Sequence, residues 1–175
     1  MSELRTNRIV PRDGLPSGSS GGIIQIKSAT KTDRQLSNSS AYVDVTGMSV
    51  SITPTRSDSK IFIMINVHVG GDSAAYIGFK VLRDSTVVTQ GTHGTGSRTN
   101  LSFGGRIDAD YDTYTMGFNF LDSPSTTSAT TYKLQVSDVH DSANRNVVIN
   151  GSGDDANAAY TLCGTSTITV MEVSG

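Results

Sequence analysis

Residues Met48-Ser49-Val50-Ser51-Ile52-Thr53 alternate apolar and polar side chains and stop at Pro54, and this period of two recurs along most of the chain. Side chains that alternate in this way line opposite faces of an extended strand, so one face is sorted to a core and the other away from it. The run Ile61-Phe62-Ile63-Met64-Ile65-Asn66-Val67-His68-Val69 is the most apolar stretch. It reads as a central strand, covered on both faces or on one face with a subunit neighbour on the other.

The same period marks further strands at Ile23–Lys27, Tyr42–Val45, Leu101–Phe103, Tyr114–Leu121, Tyr132–Val136, Asn146–Ile149 and Ser166–Val173. Tyr76–Arg83 and Thr86–Val88 flank Asp84-Ser85, the pattern of a tight hairpin. Ser and Thr make up about a quarter of the residues, and with 18 glycines they supply strand formers and turn formers rather than helix formers. Only 154–159 offers a helical window, and it is short and flanked by glycine. Roughly nine to eleven strands with regularly spaced turns predict an all-β, antiparallel β-sandwich of the jelly-roll kind over residues 23–175. The last strand runs close to the end of the sequence and is expected inside the sheet.

Residues 1–22 read differently. Leu4, Arg5, Arg8, Ile9, Val10 and Arg12 lead through Pro11, Gly14 and Pro16 into Ser17-Gly18-Ser19-Ser20-Gly21-Gly22. The pattern predicts an extended arm and a Gly/Ser linker that order against a partner, with Leu4, Ile9 and Val10 as apolar anchors and the arginines beside them as docking contacts.

A formal net charge of −2 leaves no basic footprint for nucleic acid. No stretch reaches the roughly 18 apolar residues of a membrane span, and no secretory signal opens the sequence. The expected product is therefore soluble, made in a cytoplasm, and its three N-x-S/T matches (Asn38, Asn100, Asn150) are chance. Cys163 is the sole cysteine, so no internal disulfide exists, and its apolar setting predicts a small buried side chain.

Chemistry needs converging groups. His68, His93 and His140 lie in unrelated contexts, His68 reading as a hydrogen-bonded core or interface residue. Asp138-Val139-His140-Asp141 is more simply a polar turn than a metal site. Gly91-Thr92-His93-Gly94-Thr95-Gly96-Ser97 lacks the Lys-Ser/Thr pair of a phosphate loop. Asp108, Asp110 and Asp112, and Asp154 and Asp155, sit on loops without the spacing of an EF-hand. Glutamate occurs only at Glu3 and Glu172, and without tryptophan there is no obvious platform for stacking a sugar. The sequence predicts no catalytic residue, metal or cofactor. It leaves His93 and these aspartates as loop residues that face a receptor.

Several stretches resemble small virion structural proteins of marine phages, chiefly cyanophages, including their tail-fibre-like appendage proteins. They are the opening from Ser2-Glu3-Leu4-Arg5 to Pro11-Arg12-Asp13-Gly14, then Gly21-Gly22-Ile23-Ile24-Gln25-Ile26, Tyr42 to Pro54, Ser59-Lys60-Ile61, Leu121-Asp122-Ser123-Pro124 and Thr165 to Glu172. The resemblance implies an N-terminal segment that docks on the particle and a distal β-domain that trimerises, like tumour-necrosis-factor-type jelly rolls. Fibres of that kind carry a long shaft, which is absent here, so a squat head or tail appendage is expected. The expected role is that of a homotrimeric, non-enzymatic structural protein bound to other virion proteins. The alternatives are a capsid decoration that cements the shell, or a lectin-like module that binds a host-surface glycan.

Overall fold

In the computed structural model of the chain, which describes residues 22–140 and 145–174, every regular element is a strand. The strands are β1 (Ile23–Lys31), β2 (Gln35–Ser37), β3 (Val43–Ile52), β4 (Lys60–Gly71), β5 (Tyr76–Arg83), β6 (Thr86–Val87), β7 (Phe103–Arg106), β8 (Thr113–Asp122), β9 (Thr130–Asp138), β10 (Val147–Ile149) and β11 (Ser166–Val173). All ladders among them are antiparallel.

The eight longer strands pair from the outside inwards: β1 with β11, β3 with β9, β4 with β8 and β5 with β7. This nesting, with β11 beside β4 and β9 beside β5, defines a jelly roll of two packed sheets, β1-β11-β4-β8 and β3-β9-β5-β7. β10 and β2 extend the first sheet past the end of β11, and β6 forms the anticipated hairpin with β5. Asp84 in that hairpin turn takes a positive φ of 53°, as the mirror-image turns of tight hairpins require.

The period of two explains the core. Ile61, Ile63, Ile65, Val67 and Val69 of β4 all point inwards and are fully buried. They meet Ile77, Phe79 and Val81 of β5, Tyr132, Leu134 and Val136 of β9, and Ile168 and Val170 of β11. Truncating one of these isoleucines to alanine costs about 2–5 kcal/mol. At the open side, where the edge strands β7 and β8 face each other, Phe118 stacks across the gap on Phe103, which stacks in turn on its ladder partner Phe79. Phe79 and Phe103 lie 4.7 Å apart, and Phe103 and Phe118 lie 5.3 Å apart, centroid to centroid.

Buried polar groups tie the sheets together at one end. Asp122 of β8 accepts from Arg83 Nη1 and from the Tyr132 hydroxyl, both at 2.7 Å. Burial first, and then the Asp122 carboxylate, push the Tyr132 phenol far above its ordinary range. Glu172 of β11 is fully buried and accepts from Gln25 Nε2 at 2.6 Å and from both the amide and the hydroxyl of Thr55 at 2.7 Å. It thereby fixes the β3–β4 connection onto β1. Burial works against its charge, but these donors outweigh burial and hold its carboxyl below the ordinary glutamate value of 4.5.

A folded-state pKa below the unfolded one contributes stability that is complete above pH 4.5 and disappears as acid protonates the folded carboxylate. Glu172→Gln is therefore expected to lower unfolding free energy at neutral pH by about 1–3 kcal/mol. The loss should shrink below pH 4.5, as read by urea melts across pH.

Candidate interaction face and loop cluster

The outward face of the β1-β11-β4-β8 sheet divides into two halves. Along β4 the outward side chains are Lys60, Phe62, Met64, Asn66 and His68, followed by Gly70. The His68–Gly70 half is covered by the chain's own segment 150–165. There the approach is so close that a Cβ on Gly70 would meet the carbonyl oxygens of Gly151 and Asp112, and one on Gly164 would collide with the His68 ring. Only glycine fits such contacts. Asn150 anchors the segment from a positive φ of 63°. Its Nδ2 donates to the carbonyls of Lys31 and Asp33, and its Oδ1 accepts from Ser166 Oγ at 2.6 Å.

Among the described residues the other half is uncovered, and it is apolar. Ladder registers place Ile26 of β1 opposite Met171 of β11, Met171 opposite Phe62 of β4, and Phe62 opposite Leu121 of β8. Four strands at about 4.8 Å spacing make this row about 14 Å long. Ile26 is 54% exposed and Leu121 52% exposed, while Phe62 and Met171 are half-buried by their neighbours. The adjoining row, Ser28-Thr169-Met64-Asn119, is also uncharged. Ile23, another exposed apolar residue, stands at the sheet's edge where β1 begins. β4 is central, as expected, with β11 and β10 on one side and β8 on the other, and its inward face is in the core.

The docking residues expected from the sequence, Leu4, Arg5, Arg8, Ile9, Val10 and Arg12, lie outside the described residues. The acid-rich loops do come together. Asp154 N donates to the Asp110 carbonyl at 2.8 Å, and Tyr111 meets Tyr160 edge-on at 6.4 Å. Their carboxylates are engaged by their own surroundings. Asp110 accepts from Ser73 N, Asp112 from Ala109 N and Asp154 from Ala156 N. Asp108 pairs with Arg106 at 2.8 Å, and Asp155 with Arg34 at 3.5 Å. His93 is exposed on the separate 88–102 loop, and no contact joins it to the aspartates among the described residues. No three His, Cys, Asp or Glu residues gather closely enough to hold a metal among the described residues.

Two sequence expectations need correction. Cys163 is exposed, because residues 150–165 form a surface segment with an isolated β-bridge between Gly151 and Cys163 rather than a core strand. His68 is half-buried beneath Gly164, and its Nε2 has no hydrogen-bond partner. Burial lowers its pKa. The 154–159 window holds no helix: 157 and 158 bend and 159 opens a turn. Asp138 proves structural, accepting from the amides of Tyr76, His140 and Arg145.

No protein-family model matches the chain, and no curated protein matches it. Among solved structures it is similar to that of infectious bursal disease virus Gx strain, with a TM-score of 0.44 and 15% identity over 97% of this chain and 43% of that chain. It is also similar to the infectious bursal disease virus VP2 subviral particle, with a TM-score of 0.42 and 14% identity over 98% of this chain and 43% of that chain. The chain thus spans less than half the length of those chains. Likeness at these scores carries no argument about what the chain does, and the fold rests on the ladders above.

Cys163 is expected to react with a thiol reagent in the native protein at a rate close to that of the unfolded chain. Protection of the thiol until denaturation would contradict the surface course of 150–165.

Proposed function

We propose that the chain is a non-enzymatic virion building block, a trimeric head or tail appendage that works by packing and docking rather than by chemistry. The observation that carries this reading is the registered apolar row Ile26-Met171-Phe62-Leu121 on an otherwise polar, strand-built surface. Apolar side chains aligned across four strands form a flat face, and flat sheet faces pack against other sheet faces about 10 Å away. A second copy of this chain offers such a face. It needs no complementary charge, and the bare patch holds none apart from Lys60 at its rim.

The chain shields the other half of the same face with its own 150–165 segment, so the exposed half is the part left for a neighbour. The trimeric number, the virion setting and the docking role of residues 1–22 through Leu4, Arg5, Arg8, Ile9, Val10 and Arg12 follow from the sequence resemblance. Other virion proteins would receive the arm. The engagement of Asp108, Asp110, Asp112, Asp154 and Asp155 in loop hydrogen bonds and ion pairs supports a structural rather than catalytic use of those loops. A capsid decoration would use the same face and arm to cement the shell.

Sedimentation velocity of the full chain is expected to give a trimer. The double variant Phe62→Asp, Leu121→Asp should give a folded monomer with an unchanged β-sheet circular dichroism spectrum. A monomeric wild type would overturn self-assembly, and a trimeric double variant would overturn this face as its site.

A further inference from the structure

The β6–β7 connection, residues 88–102, is long for a loop without strands of its own, and such loops in compact domains are commonly functional. It is held in shape from within. Gly91 N donates to the Leu101 carbonyl, Ser102 Oγ to the Thr89 carbonyl at 2.6 Å, and Gly94 N to Asn100 Oδ1 at 2.8 Å. So ordered, it raises Ser97 and Thr99 as one wall of a cleft of about 480 Å³, whose other wall is Tyr76, Val139 and His140. That volume falls within the range of small-ligand sites.

The chemistry of the lining is specific. Tyr76 is 40% exposed, and its ring lies 5.3 Å from that of His140 at 33°, so the two form a tilted aromatic rim. The Arg106 guanidinium, paired with Asp108, stands 5.6 Å from the Tyr76 ring centroid. Opposite, the Ser97 and Thr99 hydroxyls have no hydrogen-bond partner among the described residues, and each can donate and accept. Among the described residues, no carboxylate, lysine or arginine lines the cleft.

We propose that this cleft binds one neutral pyranose unit of a surface polysaccharide, its apolar ring face on the Tyr76–His140 rim and its hydroxyls on Ser97 and Thr99. A pyranose has the matching two-sided character: C–H bonds on its faces and hydroxyls around its edge. The tyrosine–histidine pair supplies the platform that the absence of tryptophan withheld from the sequence. The site lies on the β3-β9-β5-β7 sheet, not on the bare face assigned to self-assembly, so the two readings stand or fall separately.

Saturation-transfer-difference NMR tests it with the full chain and the methyl glycosides of glucose, galactose, mannose, N-acetylglucosamine and N-acetylgalactosamine, with glycerol as the polyol control. At least one glycoside should bind with a millimolar Kd, receiving saturation on the protons of one ring face. Tyr76→Ala should abolish the signal while circular dichroism stays unchanged, and Thr99→Val should weaken binding several-fold. Absence of transfer to every glycoside, an equal signal from glycerol, or a signal undiminished in Tyr76→Ala would each overturn the proposal.

Discussion

The alternation along β4 is the constraint on which the molecule depends. Its five inward residues form the middle of the core, and its backbone carries β11 and β10 on one side and β8 on the other. A slip of one residue in any of those registers would turn Ile61, Ile63, Ile65, Val67 and Val69 out to solvent and Phe62, Met64 and His68 inwards. Burial therefore fixes the register, and the register in turn aligns the outward residues. The row Ile26-Met171-Phe62-Leu121 is thus a by-product of the same ladders that build the core, with each strand contributing one apolar outward residue.

The two halves of that outward face are finished differently. Near His68, glycines at 70 and 164 let the backbone of 150–165 lie directly on the sheet, and Asn150 pins it there through both ends of its amide. Near Phe62 none of the described residues covers the sheet. A monomer rarely leaves aligned large apolar side chains bare when it has a loop able to cover them, which gives the uncovered half its significance. At one end of the sandwich, Asp122 and Glu172 hold one sheet or connection to another through buried hydrogen bonds.

Much of this was legible in the sequence. Alternation located β3, β9 and β11, the long apolar run located β4, and Asp84-Ser85 located the β5–β6 hairpin, because these signals are local. β2 was not legible: three residues, Gln35-Leu36-Ser37, show no period and form a strand only because β10 lies alongside. Cys163 was misread because the apolar neighbours of a surface segment look like a strand when nothing reveals what they lie upon. The aspartate loops were legible as neighbours in kind but not in use, since their carboxylates turn back onto nearby amides. The Tyr76–His140 rim joins residues far apart in sequence, and no motif announces it. The apolar row was hidden for a related reason: Phe62 and Met64 look like core residues until the ladder shows which side they take.

The central claim is that the bare half of the β1-β11-β4-β8 face, rather than the acid-rich loops, is where copies of this chain meet. Cryo-EM of the assembled particle that carries the chain tests it most directly. The account predicts Phe62, Leu121, Ile26 and Met171 buried between symmetry-related copies. A map in which that row faces solvent, while the 108–112 and 150–158 loops make the contacts between copies, would contradict it.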